Sequence, residues 1–138
     1  MNTSLDENFD LACELSEKVF THNELLEMLN NGNVAERQIA ALKFDKVVND
    51  VDALALMNNL TGCDGKIREA VALRINQFVI SNPESRIFFN FPLVFADATI
   101  DINANICRLV VDSAKLLKGN PDFTQIYVQR ILKFTQEA

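Results

Sequence analysis

Two stretches of the sequence repeat each other at an offset of 31 residues, and this repetition limits the possible folds more than any other feature. Residues 33–42 and 64–73 match in their capping residue, their arginine and their final leucine. Beyond each arginine, apolar residues follow at spacings of i, i+4, i+7 and i+8, which places them on one face of a helix. A period of roughly 31 to 40 residues is typical of stacked helical pairs, so the sequence predicts such pairs along the chain.

A third, looser copy surrounds Arg108, with apolar residues after the arginine and Ser113 where the other copies have leucine. An acidic segment precedes all three copies. We therefore divide the single expected domain, residues 1–138, into an N-terminal helical pair and three helical units. The pair comprises residues 1–32, and the units comprise residues 33–62, 63–100 and 101–138.

Four sequence patterns mark the expected starts of helices. Residues 21–24 and 33–36 fit capping boxes, in which a side chain and a glutamate three positions later satisfy free backbone N–H groups. Residues 82–84 and 120–122 each combine a capping asparagine, a proline at the first helical position and an acidic residue. Pro92 would break a helix begun at residue 83, so that helix is expected to be short or bent.

The pattern in these units resembles that of HEAT-repeat proteins of the short prokaryotic kind. A capping Asp or Asn is followed by an arginine, small residues and a leucine, and then by an acid-capped second helix that ends in leucines; residues 33–82 carry this pattern best. The resemblance implies an all-α fold, a right-handed α-α superhelix of about three to four stacked helical pairs whose second helices line a concave face. HEAT domains of this kind mostly act as protein-binding scaffolds, while a minority bind nucleic acid and a few are enzymes.

Composition supports a helical domain and argues against other classes. Apolar residues make up 49% of the chain, whereas glycine and proline total seven, too few for a turn-rich all-β protein. No stretch is long and apolar enough for a membrane span, and the first thirty residues lack a signal-peptide core. Three widely spaced cysteines are typical of reduced thiols, so we expect a cytoplasmic protein.

The formal net charge of −6 lies entirely in residues 1–32, which hold seven acidic residues and one lysine. Residues 33–138 hold twelve acidic and twelve basic residues. Non-specific binding to nucleic acid or to anionic membranes needs concentrated Lys and Arg, so neither partner is expected. The acidic segment is either a patch for a cationic partner or a solvated end that keeps the protein soluble.

Candidate catalytic and metal-binding residues are sparse. His22 is the only histidine, and it is expected to be exposed beside a helix start. Cys13, Cys63 and Cys107 lie far apart, so they offer no zinc-ligand set with it. Cys13 and Cys107 are expected to be small core residues. We therefore expect no enzymatic activity and no cofactor.

The expected function is that of a non-catalytic scaffold that binds another protein or a peptide on its second-helix face. Phe89 and Phe91, within the apolar segment 88–95, are candidate anchors for that partner. Two alternatives are a self-associating element, with segment 88–95 as the homodimer interface, and a HEAT-like nucleic-acid-binding enzyme such as a DNA glycosylase. The polar candidates on the second-helix face are Asn58, Asn59, Arg86, Asn90, Gln129, Arg130 and Lys133.

A structural role is expected for the arginines of the three copies. A guanidinium makes several oriented hydrogen bonds at once, and we expect each to bond a capping Asp or Asn of an adjacent repeat. The alternative is a ladder of arginines that binds phosphate or carboxylate groups. The residues with the expected inter-repeat role are Arg37, Arg68, Arg108 and Asp64.

Overall fold

The computed structural model describes the backbone of residues 3–137 and the side chains of residues 7–136. Within that part of the chain there are eight α-helices, one short 3₁₀ helix and no β-strand, which confirms the predicted all-α fold. The α-helices are α1 (Thr3–Ser16), α2 (His22–Asn31), α3 (Val34–Lys43), α4 (Asp50–Met57), α5 (Gly65–Ser81), α6 (Pro92–Ala98), α7 (Ala104–Leu116) and α8 (Pro121–Glu137), and the 3₁₀ helix is Ile87–Asn90.

The helices pack in two rows. In the first row, α1 packs on α3, α3 on α5, and α5 on α7. In the second row, α2 packs on α4, α4 on the 3₁₀ helix, and α6 on α8. The rows meet where α2 contacts α3, where α4 contacts α5 and where α6 contacts α7. One contiguous apolar cluster contains residues of both rows, from Leu25 on α2 to Phe123 on α8.

Side-chain caps start the helices where the sequence predicts them in three of four cases. Thr21 and Asn33 form complete capping boxes with a glutamate three residues later, at α2 and α3. Asn120 accepts a hydrogen bond from the Phe123 N–H, and Pro121 takes the first position of α8. These three predictions are confirmed.

The predicted helix start at residues 82–84 is wrong. Asn82 ends α5 instead, because its backbone N–H and its Nδ2 atom both donate to the Phe78 carbonyl oxygen. The next helical turn is the 3₁₀ helix, and α6 begins only at Pro92. Proline is tolerated at a first helical position, where no N–H is needed, so Pro92 starts the short helix that it was expected to interrupt.

Arg68 bridges neighbouring units as predicted, although not to a capping residue. Its Nε lies 2.6 Å from Asp101 Oδ2 and its Nη2 lies 3.2 Å from Oδ1, while Nη1 donates to the Gly62 carbonyl oxygen at 2.9 Å. Asp101 lies in the loop that precedes α7, two residues before the capping Asn103. A forked guanidinium on a carboxylate is a strong, oriented pair, and this one fixes α5 to the start of the next unit.

The prediction that Arg37 bonds a capping residue of an adjacent repeat is wrong, because its side-chain partner, Asn59, follows α4 within the same unit. Its Nη1 donates to Asn59 Oδ1 at 2.9 Å, and its other nitrogens donate to the carbonyl oxygens of Gly32 and Asn30. Asp64 was also expected to join two repeats, but it accepts hydrogen bonds from the N–H groups of Lys66 and Ile67 and thus caps its own helix, α5.

The prediction for Arg108 is wrong. Its guanidinium is exposed and contacts Asn105 and Asp112 of its own helix. Because α7 is the last first-row helix in the described residues, no following loop there offers Arg108 the partner that Arg68 has.

Three further polar residues join neighbouring units, a role that was not predicted for them from the sequence. Arg74 donates to the Ala41 and Leu42 carbonyl oxygens at the end of α3, and burial lowers the pKa of its guanidinium. Asn76 donates to the Leu109 carbonyl oxygen and to Ser113. Asn59 donates to the Leu29 carbonyl oxygen. These bonds join residues 30 to 37 positions apart, which is the spacing expected of neighbouring repeats.

His22 pairs with a buried carboxylate, contrary to the expectation of an exposed imidazole. Its Nε2 atom lies 2.8 Å from Asp52 Oδ1, and its ring stacks on Phe44 with centroids 4.8 Å apart. Asp52 is almost completely buried, and its Oδ2 accepts the Val48 N–H. Nδ1 of His22 is buried without a hydrogen-bond partner among the described residues. The pair thus fixes the start of α2 to the start of α4.

We expect His22→Ala to lower the free energy of unfolding by about 2 kcal/mol, because the Asp52 carboxylate would stay buried and lose its hydrogen bond with the imidazole. Urea denaturation at neutral pH measures the loss. The control is Asn23→Ala at the exposed neighbouring position, which should change the free energy by less than about 0.5 kcal/mol. Equal effects of the two substitutions would contradict the importance of the pair.

Candidate protein-interaction surface

An apolar groove lies between the segment that joins the 3₁₀ helix to α6 and the first turns of α8. Its volume is about 460 Å³. Leu93 and Ile126 are exposed on its walls, with 51% and 40% of their surface accessible, and Phe89 and Phe91 are half-buried there. The lining residues of this groove are Phe89, Asn90, Phe91, Pro92, Leu93, Val94, Asp122, Phe123 and Ile126.

A chain of aromatic rings supports the groove from beneath. Phe88 contacts Phe95 edge-to-face with centroids 6.2 Å apart, and Phe95 contacts Phe123 in the same way at 5.6 Å. Phe123 then stacks on Tyr127, whose phenol has a pKa raised by burial. Because the apolar residues of segment 88–95 cannot all face inward, burial of Phe88 and Phe95 leaves Leu93 at the surface.

The groove gathers three of the predicted binding residues, namely Phe89, Asn90 and Phe91. Two others, Asn58 at the end of α4 and Arg86 before the 3₁₀ helix, are exposed outside its lining.

Asn59 must be removed from the predicted binding face, because its side chain is buried. Its Nδ2 atom donates to the carbonyl oxygens of Leu29 and Ala55, and its Oδ1 accepts from Arg37. It therefore has a packing role between the second-row helices α2 and α4.

The predicted residues of α8 lie outside the groove. Gln129 and Lys133 are exposed. Arg130 Nε donates to Asp97 Oδ1 at 2.9 Å, and its guanidinium carbon lies 5.3 Å from the centroid of the Phe134 ring. Arg130 thus joins α8 to α6.

A second exposed apolar surface runs along α4 and the segment just before it, and we call it the α4 stripe. It consists of Val48, Val51 and Leu54, which are 70%, 58% and 49% exposed. The stripe could not be predicted from the sequence, since α4 is apolar on nearly every side and periodicity alone does not separate its buried from its exposed residues.

Groups suited to bind a metal ion are absent from the described residues: no three His, Cys, Asp or Glu side chains there lie close enough to do so. The prediction that Cys13 is a core residue is wrong, because it is exposed, whereas Cys107 is half-buried with its thiol 2.8 Å from the Asp101 carbonyl oxygen. Among the helices described, none is long and apolar enough to cross a membrane.

Comparison with known proteins identified no relative, since no family, no curated protein and no solved structure matches this chain. The geometry of the second row is therefore the basis for a functional proposal.

Proposed function

We propose that the chain is a HEAT-like helical-repeat module, wound as an α-α superhelix, that binds a segment of another protein on its second row without catalysing a reaction. The apolar groove is the proposed anchor point for that segment.

Two observations support the repeat architecture in this proposal. First, alternate helices pack on each other within each of two rows, which is how stacked helical pairs bury their apolar faces. Second, the hydrogen bonds of Arg68, Arg74 and Asn76 to neighbouring units join residues 32 to 37 positions apart, close to the offset of 31 in the sequence repeat.

The groove carries the functional part of the proposal. Its volume of about 460 Å³ lies within the range of ligand sites, which is about 300–1,000 Å³. Aromatic and aliphatic side chains form most of its walls, and Asn90 and Asp122 add polar groups. An apolar side chain of a partner would leave water on entering it, and interfaces obtain most of their binding energy from a few such anchors.

Substituting Leu93 tests this proposal. We expect Leu93→Asp to weaken partner binding by about tenfold or more, because a carboxylate in the groove would lose hydration on binding. A pull-down from a lysate of the native host identifies the partner, and titration of the purified partner then gives the Kd. Circular dichroism establishes that the variant is folded.

The matched control is Leu116→Asp on α7, since Leu116 is 52% exposed against 51% for Leu93 and does not line the groove. This control should bind as the unmodified protein does. Equal binding by Leu93→Asp and the unmodified protein, or equal loss in both variants, would refute the groove as the anchor. A homodimer that Leu93→Asp disperses, seen by light scattering, would favour self-association instead.

A further inference from the structure

No element in the described part of the chain covers the α4 stripe, which is an exposed apolar surface. Val51 and Leu54 lie about one helical turn apart on the side of α4 opposite its buried residues, and Val48 precedes them. Such a row of aliphatic side chains fits residues spaced by three or four positions on a partner helix.

The neighbouring helix α2 carries two exposed acidic side chains, Glu24 and Glu27. His22 bonds Asp52, and the Leu29 carbonyl oxygen accepts from Asn59, so α2 and α4 lie side by side and parallel with a register of 30 residues. This register sets Glu24 level with Leu54.

Acidic side chains outnumber basic ones around the stripe, where Lys46, two residues before Val48, is also exposed. Glu24 and Glu27 on α2 and Asp50 at the start of α4 are exposed, and neither helix contains a lysine or an arginine. Hydrogen bonds from the Thr21 backbone and hydroxyl lower the pKa of Glu24, so its carboxylate is ionised at neutral pH. The net charge of the whole chain lies in residues 1–32, which include α2.

We propose that the α4 stripe and the acidic side chains beside it bind a cationic, amphipathic helical segment of the partner protein. Aliphatic residues of that segment would cover Val51 and Leu54, and its lysines or arginines would face Glu24, Glu27 and Asp50. Long basic side chains suit this position, because their methylene stems add apolar contact while their charged ends stay hydrated. The proposal rests on the proposed function, since it specifies the partner bound on the second row.

Two synthetic helical peptides test this proposal. Both carry leucines at i, i+3 and i+7, and their remaining positions are lysine in one and glutamate in the other. Fluorescence anisotropy with the full chain should give a Kd about tenfold or more lower for the lysine peptide. That Kd should rise when the salt concentration increases from about 50 to about 300 mM, because exposed charges are screened.

Variants locate the binding surface. The double variant Glu27→Lys with Asp50→Lys, and separately Leu54→Gln, should each weaken binding of the lysine peptide about tenfold. The matched control is Glu7→Lys with Asp10→Lys on α1, which changes the net charge equally but lies outside the second row. It should change the Kd less than about threefold. Circular dichroism verifies the fold of each variant.

Three outcomes would overturn the proposal: equal affinity for both peptides, equal weakening by the control pair, or full binding by Leu54→Gln. A homodimer that Leu54→Gln disperses would assign the stripe to a second copy of the chain and would also overturn it. These outcomes are independent of the groove, because Leu93→Asp tests partner anchoring there without involving the stripe.

Discussion

Replacing Arg68 with methionine should lower the free energy of unfolding by about 3 kcal/mol at neutral pH, because the change removes one partner of a buried ion pair. The side chains of Arg68 and Asp101 are only 14% and 5% exposed. Methionine retains much of the apolar contact of the arginine stem but leaves the Asp101 carboxylate buried and short of two hydrogen bonds. Urea denaturation measures the loss.

The matched control is Arg108→Met, at the corresponding arginine of the last copy. Because Arg108 is exposed and bonds only within α7, its loss should cost less than about 0.5 kcal/mol. Equal costs at both positions would show that the contact with Asp101 adds nothing to stability.

The same pair should give the protein an acid-sensitive component of stability. Burial raises the pKa of Asp101, but the hydrogen bond and charge of Arg68 and the Asn103 N–H together outweigh burial and lower it below 3.8. The pair therefore stabilises the fold fully at neutral pH. Its contribution begins to fall when the pH drops below the pKa of the Asp101 carboxyl group in the unfolded chain, and it is lost as the pH passes through the lower pKa of the folded state. Asp101→Asn should be less stable at neutral pH and lose less stability between about pH 5 and pH 2. Parallel acid-denaturation curves would contradict this assignment.

Replacing Phe95 with alanine should cost about 4 kcal/mol, because large-to-small changes at fully buried aromatic positions leave a cavity. Phe95 lies between Phe88 and Phe123, so its ring links the 3₁₀ helix to α8 beneath the groove. Thermal and urea unfolding measure the loss.

The control for this substitution is Phe9→Ala, at the exposed phenylalanine of α1. It should change the free energy of unfolding by less than about 0.5 kcal/mol. A cost below about 1 kcal/mol for Phe95→Ala would mean that the aromatic chain packs loosely.

Features fixed by neighbouring residues were predictable from the sequence. The caps at Thr21 and Asn33 were found because a capping box involves residues only three positions apart. The error at Asn82 has an equally local cause, since an asparagine side chain can satisfy either end of a helix. Whether it accepts from the following N–H groups or donates to the preceding carbonyl oxygens depends on how the flanking segments pack.

Which of the repeated arginines has a partner in the next unit was not predictable, and neither was the identity of that partner. Arg68 and Arg108 occupy matching positions in the repeat, yet only Arg68 has an acidic partner in a following loop. Asn59 resembled a surface residue because its buried partners lie on α2 and α3, far from it in the sequence. In the candidate site, the aromatic residues were predicted from composition, whereas the α4 stripe became visible only once the buried side of α4 was known.

The walls of the groove belong to two successive units of the chain. One wall comes from residues 89–94 and the other from residues 122–126, with Phe95 and the Arg130–Asp97 pair between them. The groove therefore exists only while both units are folded and docked together. A ligand that contacts both walls binds only the docked form, so its binding stabilises the contact between them. A binding partner would thus select the fully docked chain from its ensemble.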